Sequence, residues 1–485
     1  MTFSTLPDRR AATHPDDPAL ADSRRTLTNG DFFVHVQMAA SQLSGLGITV
    51  GDVVALKLTN RVEFVILLFA AWRIGATITP VNPALTDLEV ARQLDDSRAR
   101  LMVVEDGMPA IGTVPRLEVG RLGQGDSVPD GAPHADAAAL ALLIYTSGTT
   151  GTPKGVMLDH ANLDSMTEMG SRALEVTSDD RCLLILPLFH VNGIVLSVLT
   201  TLRADASVVI AERFNPETFF GTLEEHRPTF FSAVPTIYSM LAALPDAVRP
   251  DTSSVRYAVC GAAPASEELL TRFEARYGFP LVEGYGLSEA TCGSTINPLA
   301  GPRKAGTVGL PFPGQELQIR GADGSCVADG ETGEVVVRGP NVMRGYLGRP
   351  EETADVLVDG WLHTGDVGYF DTDGYLTLVG RSKEMIIRGG ENIYPKEIED
   401  VLAADSTVLE AAVIGVSDET WGEVVVAFVQ PRPGTAVDIA ELNRRCKESL
   451  SGYKRPTAIH VLEALPKNAV GKLDKKSLHA VLVGS

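Results

Sequence analysis

The sequence predicts an α/β fold with a large N-terminal domain of helix-covered sheets and a small β-barrel-like subdomain, followed by a small mobile α+β C-terminal domain. Three observations favour it. Apolar strands alternate with helices up to about residue 300, which is typical of helix-covered parallel sheets. Short strands separated by Gly turns fill residues 305–380, and helices and strands are both predicted after residue 384. A length of 485 residues also favours more than one domain.

The N-terminal elements follow from apolar spacing. Helical periodicity from about residue 28 predicts a first helix, and "RVEFVILLFAAWRIGA" predicts a second, buried one. Strands are predicted in "VVALKLTN", "ATITPVNP", "RLMVVED" and "ALALLIYTSGTTG", the last of which leads into a glycine loop. Residues 105–138 lack periodicity and are rich in Gly, Pro and Asp, so a surface connection is expected there.

The C-terminal region begins after "RSKE", residues 381–384. Helices are predicted in "YPKEIEDVLAA" and "DIAELNRRCKESL", with a strand pair in "VLEAAVIGVSD" and "GEVVVAFVQP" between them. The predicted domains are therefore 1–382 and 384–485, with a boundary at Lys383.

Composition excludes some classes of partner. The formal charge is −20, which argues against binding nucleic acid or an anionic membrane, because both are bound by basic surfaces. The five cysteines form no C-x-x-C pair, as expected in a reducing compartment. The N-terminus lacks the apolar region of a signal peptide, and the run "FVILLFAAW" is too short to span a bilayer. These features predict a cytoplasmic protein without a membrane span.

The string "YTSGTTGTPKG", residues 145–155, has the composition of a phosphate-binding loop. Its glycines allow close backbone approach, its hydroxyls can donate, and Lys154 adds positive charge. It is not a Walker A loop, because Pro153 stands where that motif has its second Gly and Gly155 where it has Ser or Thr.

With its next residue, the string resembles the signature loop of the adenylate-forming superfamily, which includes acyl- and aryl-CoA ligases, peptide-synthetase adenylation domains and firefly luciferase. Further segments resemble that family in the same order, and the set is most similar to acyl- or aryl-CoA ligases. They are "LPLFHVNG" (186–193), "AVCGAAP" (258–264), "VEGYGLSEAT" (282–291), "GWLHTGDVGYFDTDGYLTLVGRSKEMIIRGGENIYPKEIE" (360–399) and "LPKNAVGKLDKK" near the end.

The resemblance implies a role for each matched residue. The implied catalytic residues are Lys472, His190 and Glu289, and the implied magnesium ligands are Thr146 and Glu289. Lys383 corresponds to the family's hinge, and Gly389 and Gly390 correspond to its CoA tunnel. The implied acyl pocket contains His190, Val191, Ser232, Tyr238, Gly261 and Cys292. The implied ATP- and AMP-binding residues are Thr146, Ser147, Gly148, Thr149, Thr150, Gly151, Lys154, Gly261, Ala262, Ala263, Glu283, Gly284, Tyr285, Gly286, Ser288, Asp366 and Arg381.

The implied reaction uses ATP, Mg²⁺ and CoA. A carboxylate attacks the α-phosphorus of ATP and expels pyrophosphate, and the acyl-adenylate then passes its acyl group to the CoA thiol. Two alternatives remain open: transfer to a carrier protein or another nucleophile, including activation of nitrite, and a non-catalytic acyl- or nucleotide-binding protein.

The acid is only partly constrained. "FHVNG" lacks the Asp that pairs with an α-amino group in peptide-synthetase domains, and Met240 replaces the arginine of malonate-activating ligases. A medium-chain or aryl acid with an uncharged tail is therefore favoured, although some segments also resemble oxalate-activating ligases. The expected oligomeric state is a monomer or a homodimer.

Overall fold

The computed structural model describes residues 2–123, 131–146, 153–263, 265–467 and 473–483. The chain divides into two compact units. The first unit contains Met1–Leu317 and Val337–Leu362, and the second contains Gln318–Val336 and His363–Ser485. Both units combine helices with sheets, so the predicted α/β class is confirmed. The predicted division at Lys383 stays a prediction.

The α-helices of the described residues are mostly short. They are α1 Leu6–Thr13, α2 Asn29–Gly45, α3 Val62–Arg73, α4 Asp87–Ser97, α5 His160–Ala173, α6 Thr200–Arg203, α7 Phe219–His226, α8 Pro235–Ala242, α9 Glu267–Tyr277, α10 Pro350–Val356, α11 Pro395–Ala403, α12 Ile439–Ser449 and α13 Lys475–Val483. A π-helical segment spans Asn192–Leu199, and 3₁₀ turns span Phe3–Thr5, Val119–Arg121, Ser288–Ala290, Ser382–Glu384 and Gly452–Lys454.

The strands follow the predicted order. They are β1 Pro18–Ala21, β2 Thr26–Thr28, β3 Val53–Lys57, β4 Thr77–Pro80, β5 Ala99–Val104, β6 Arg116–Glu118, β7 Leu140–Thr146, β8 Lys154–Asp159, β9 Arg181–Leu184, β10 Ser207–Ile210, β11 Phe230–Ala233, β12 Tyr257–Cys260, β13 Leu281–Tyr285, β14 Thr295–Ile296, β15 Leu310–Pro311, β16 Glu316–Arg320, β17 Gly333–Arg338, β18 Gly345–Tyr346, β19 Leu357–Val358, β20 Trp361–Phe370, β21 Leu376–Arg381, β22 Ile386–Arg388, β23 Glu391–Ile393, β24 Val408–Asp418, β25 Gly422–Pro431 and β26 Ala458–Val461.

Two large sheets form the first unit. One has the order β18-β8-β7-β4-β3-β5-β6, and the other has the order β15-β14-β13-β12-β11-β9-β10-β1-β2. The pairs from β13 through β1 in the second sheet are all parallel. Every residue of α3 is buried, as the sequence predicts for this apolar run. Helix α2 begins at a capping box in which Thr28 and Asp31 bond each other's backbone N–H.

The β-rich segment forms a five-stranded sheet in the order β16-β17-β20-β19, with β21 paired to β20. The predicted β-rich character is therefore confirmed. In the second unit, another sheet has the order β23-β22-β25-β24, with β26 on β25. Its apolar core includes Ile398 of α11 and Leu442 of α12, which lie with Val413 of β24 and Val425 of β25.

Within the described ranges, no helix is long and apolar enough to cross a membrane.

Candidate active site

Four segments of the first unit that carry implied site residues converge on one edge of the nine-stranded sheet. Strands β9, β11, β12 and β13 are parallel neighbours, so their carboxyl ends lie at the same edge. His190 follows β9, Ser232 lies at the end of β11, Gly261 follows β12, and Tyr285 ends β13. Ligands of open α/β sheets bind at such an edge. The fold thus brings together four segments that are far apart in sequence.

The segment after β9 turns sharply at His190. The His190 N–H donates to the Pro187 carbonyl at 3.1 Å, and a Cβ on Gly193 would lie 2.8 Å from that same oxygen. The π-helical segment begins at Asn192, directly after the buried Val191. π-Helical turns are rare and frequently occur at functional sites.

The implied adenine segments lie after β12 and along β13. The buried Glu283 accepts the Ala265 N–H at 3.0 Å. Ala262 and Ala263 are exposed, and Ala262 has a left-handed φ of +66°. A Cβ on Gly261 would lie 3.4 Å from the Gly284 carbonyl oxygen, so these two segments approach each other closely.

Gly284 and Gly286 are required by contacts within the protein. A Cβ on Gly286 would lie 1.6 Å from the Cys292 carbonyl oxygen, and one on Gly284 would lie 3.0 Å from the Thr295 carbonyl oxygen. Glycine is therefore needed at both positions even without a nucleotide, although the resemblance implies that both bind one. The space beside Gly286 is filled by the chain itself.

The turn after β13 presents Ser288 and Glu289. The Cys292 N–H donates to the Leu287 carbonyl at 3.2 Å, and the Thr291 N–H donates to the Ser288 carbonyl at 3.0 Å. Burial raises the pKa of the Cys292 thiol to about 12, so this cysteine stays a neutral thiol at pH 7. It can line a pocket, but it is a poor nucleophile.

The Glu289 carboxylate is connected to Lys154 through Tyr346. The Tyr346 hydroxyl donates to Glu289 Oε1 at 2.9 Å, and Lys154 Nζ lies 4.9 Å from the centre of the Tyr346 ring. Lys154 also forms an ion pair with Glu352, whose other oxygen accepts from Arg349. The Lys154 and Arg349 contacts lower the pKa of Glu352, so it is ionised at neutral pH.

Strands β7 and β8 bring the two ends of the glycine motif together. Thr146 at the end of β7 pairs with Lys154 at the start of β8 in an antiparallel register. The intervening positions Ser147, Gly148, Thr149, Thr150 and Gly151 lie outside the described residues.

Two implied acyl-pocket residues differ in their surroundings. Ser232 is buried, and its hydroxyl has no hydrogen-bond partner among the described residues. Tyr238 of α8 packs among Phe231 and Phe273, and its hydroxyl donates to the Val259 carbonyl at 2.7 Å. Tyr238 therefore contributes to the core beneath the sheet.

In the second unit, Asp366 and Arg381 are paired. They face each other across β20 and β21, and Arg381 Nε donates to Asp366 Oδ1 at 2.8 Å. The Asp366 N–H donates to the Thr364 hydroxyl, which itself donates to the Val335 carbonyl. The carboxylate is nearly buried while half of the arginine side chain is exposed, so the pair remains accessible from one side.

Lys383 and the glycine pair lie on the surface of the same unit. Lys383 is exposed within the turn Ser382–Glu384. Gly389 and Gly390 are the two-residue connection of the β22–β23 hairpin, with φ values of +61° and +89°. Two positive φ values are the requirement of a type I′ turn, which gives these glycines a structural reason as well. Lys472 lies outside the described residues.

Two residues that contact implied site residues were not identified from the sequence. Tyr346 lies in a segment that was interpreted only as a short strand, and Trp421 lies in the turn before β25. The exposed Trp421 ring would lie 3.0 Å from a Cβ on Gly389, and its carbonyl accepts the Gly389 N–H at 2.8 Å. For Trp421, the signal in the sequence was a large aromatic residue within a polar turn.

Comparison with protein families decides the classification. Residues 7–347 match the AMP-binding enzyme family, and residues 397–472 match the AMP-binding enzyme C-terminal domain. The chain belongs to the AMP-binding enzyme family. The predicted resemblance to the adenylate-forming superfamily is confirmed, and the chain is an AMP-forming ligase of the acyl-CoA synthetase type.

Relatives of this AMP-binding enzyme match it over nearly their full lengths. It is 38% identical to an oxalate–CoA ligase of Arabidopsis thaliana and 38% identical to a feruloyl-CoA synthase of an Amycolatopsis species, in both cases over 98% of this chain and 97% of the relative. The structure of Bacillus subtilis o-succinylbenzoate CoA synthetase with its acyl-adenylate intermediate has 32% identity, a TM-score of 0.90 and coverage of 98% and 97%. That synthetase has also been solved with ATP and a magnesium ion.

Proposed function

We propose that this enzyme joins a medium-chain or aryl carboxylic acid with an uncharged tail to CoA. ATP is cleaved to AMP and pyrophosphate, and an acyl-adenylate is the intermediate. The observation that carries the proposal is the Thr146–Lys154 pair at the base of the glycine motif, together with the Tyr346 contacts that connect Lys154 to Glu289. A cation and a carboxylate that both contact one tyrosine are suited to a magnesium–phosphate substrate.

The residues present fit magnesium. No group of three or more His, Cys, Asp or Glu side chains that could hold a metal occurs in the part of the chain that the structure describes. Mg²⁺ with ATP typically needs only one or two protein oxygens besides phosphate and water, which Glu289 and the Thr146 hydroxyl would supply. Bound there, the ion would neutralise phosphate charge.

The adenylation step requires that ATP and the substrate carboxylate are positioned and that the phosphate charge is stabilised. Lys154 would hold the departing phosphates, and Asp366 would accept both ribose hydroxyls, because a carboxylate accepts hydrogen bonds without donating. His190, at the carboxyl edge, would lie beside the substrate carboxylate. No protein nucleophile is required, in agreement with the neutral Cys292 thiol.

Lys472 would stabilise the charge that develops as the carboxylate attacks the α-phosphorus. In the second step the C-terminal domain would rotate at Lys383, withdraw Lys472 and present Gly389 and Gly390 to CoA. We expect Lys472→Ala to lower adenylation ~10²–10³-fold, whereas thioester formation from supplied acyl-adenylate remains. Equal losses in both half-reactions would contradict this division of roles.

The preference for an uncharged tail rests on the absence of charged partners at two places. Met240, where malonate-activating relatives carry arginine, is a half-exposed thioether on α8. The segment 189–193 contains no Asp that could pair with an amine. Ser232, Gly261 and Cys292 are small and buried at or near the carboxyl edge, which leaves room for a chain or a ring.

The remaining assignments belong to the same proposal. CoA is the proposed acceptor, a carrier protein is the alternative, and a cytoplasmic monomer or homodimer is proposed. The test is a panel of carboxylic acids plus nitrite, assayed for pyrophosphate release with and without CoA. Acid-dependent pyrophosphate release with CoA-dependent formation of free AMP supports the proposal. Release of ADP, or no nucleotide turnover with any acid, would refute it.

A further inference from the structure

Tyr346 is held rigidly between two elements of the first unit. Its backbone pairs with Val156 of β8, two residues after Lys154, and its N–H donates to Thr353 Oγ1 at 2.9 Å. The flanking Leu347 N–H donates to the Gly155 carbonyl at 2.8 Å. The ring is almost completely buried. Its position is therefore set by strand pairing and does not depend on the groups that its side chain contacts.

The segment that carries Tyr346 also supports the turn that carries Glu289. The Met343 N–H donates to the Glu289 carbonyl at 2.8 Å, and Asn341 Nδ2 donates to the Ala290 carbonyl at 2.8 Å. With the Tyr346 hydroxyl on Glu289 Oε1, the segment holds both the backbone and the carboxylate of Glu289. The hydrogen bond holds the carboxylate in the orientation in which Oε1 faces the Tyr346 hydroxyl.

The aromatic ring of the same residue faces the Lys154 ammonium. Lys154 Nζ lies 4.9 Å from the ring centre, and the ion pair with Glu352 holds it from another direction. An ammonium over an aromatic ring is attracted by the negative face of that ring. One side chain thus fixes a carboxylate through its hydroxyl and an ammonium through its ring.

We infer that Tyr346 is a positioning residue that couples the Mg²⁺ ligand Glu289 to the phosphate-binding Lys154. This inference rests on the proposed function of those two residues. Partners that orient a metal ligand typically change metal affinity 10–100-fold when they are removed. Because the hydroxyl and the ring have separate partners, their effects can be separated by substitution.

The test measures binding of α,β-methylene-ATP by calorimetry across a magnesium titration, beside pyrophosphate release. Tyr346→Phe keeps the ring, and we expect it to raise the half-saturating Mg²⁺ concentration ~10-fold or more while binding of the nucleotide without Mg²⁺ stays unchanged. Tyr346→Leu should also weaken the magnesium-free binding, because it removes the surface that faces Lys154. In Glu289→Gln the Tyr346→Phe change should have little further effect, since contacting residues act non-additively.

The matched control is Tyr257→Phe, which removes a buried hydroxyl that donates to the Leu174 carbonyl at 2.9 Å. It should lower stability and leave the magnesium dependence unchanged. If Tyr346→Phe behaves like this control, or adds its full effect to Glu289→Gln, the inference is wrong. A wild-type protein that binds Mg²⁺ and nucleotide but turns over no acid would instead refute the proposed function alone.

Discussion

Two glycines of the motif regions, Gly286 in the first unit and Gly390 in the second, are required for opposite reasons. Gly286 has an ordinary φ, but a Cβ there would lie 1.6 Å from the Cys292 carbonyl oxygen. Gly390 has nothing within 4 Å of a Cβ, but its φ is +89°. The first is therefore a packing requirement and the second a backbone requirement. A glycine in a motif does not by itself indicate that a ligand approaches it.

Among the substitutions that test this comparison, the largest effect is expected from Gly286→Ala. Its Cβ would displace the turn that carries Glu289, and a misplacement of ~1 Å can cost about 10²-fold in rate. We expect a loss of pyrophosphate release of that order, together with a destabilisation of about 1–3 kcal/mol from overpacking. Initial rates and thermal unfolding measure the two effects.

The control for this variant is Gly221→Ala in α7, where nothing lies within 4 Å of the added Cβ. It should keep full activity, because alanine favours a helix. Full activity in Gly286→Ala would show that the turn can move without loss of function. It would contradict the claim that packing requires glycine at position 286.

Asp366→Asn is expected to have an intermediate effect. It removes the charge that pairs with Arg381 Nε at 2.8 Å and replaces one acceptor with a donor. A charge-assisted hydrogen bond contributes about 1.5–3 kcal/mol, so KM for ATP should rise ~10-fold or more. Steady-state kinetics with varied ATP measure this rise. The control is Asp323→Asn, at an exposed turn residue of the same unit, which should leave KM for ATP unchanged. An unchanged KM in Asp366→Asn as well would show that Asp366 does not bind the nucleotide.

The smallest effect on adenylation is expected from Gly390→Ala. The left-handed conformation costs alanine about 1–2 kcal/mol, without any collision. Adenylation should stay within ~2-fold while thioester formation falls several-fold, because the methyl group would lie in the proposed CoA path. Single-turnover assays of the two half-reactions measure this difference.

Gly434→Ala is the matched control, since Gly434 has a φ of +78° and equally open surroundings in the same unit. It should show the same loss of stability with no loss of thioester formation. If both variants slow thioester formation equally, Gly390 serves only the hairpin turn.

The same comparison explains what could be predicted from sequence. Long apolar runs such as α3, and the strands before the motifs, were predictable because burial alone determines their pattern. The Tyr346–Glu289 contact joins residues that are 57 positions apart, and it exists because β18 pairs with β8. Likewise, the collision at Gly286 depends on the left-handed turn at Thr291, where φ is +57°. Contacts of this kind can be predicted only when the pairing of the strands in the folded chain is known.

The central claim is that a carboxylate oxygen attacks the α-phosphorus of ATP. A carboxylic acid labelled with ¹⁸O in both carboxyl oxygens tests it most directly, with mass spectrometry of the nucleotide after turnover with CoA. The account predicts one ¹⁸O atom in AMP, since the oxygen that bridges the acyl group and phosphorus leaves with AMP. Unlabelled AMP, or ¹⁸O in orthophosphate with ADP as the nucleotide product, would contradict it.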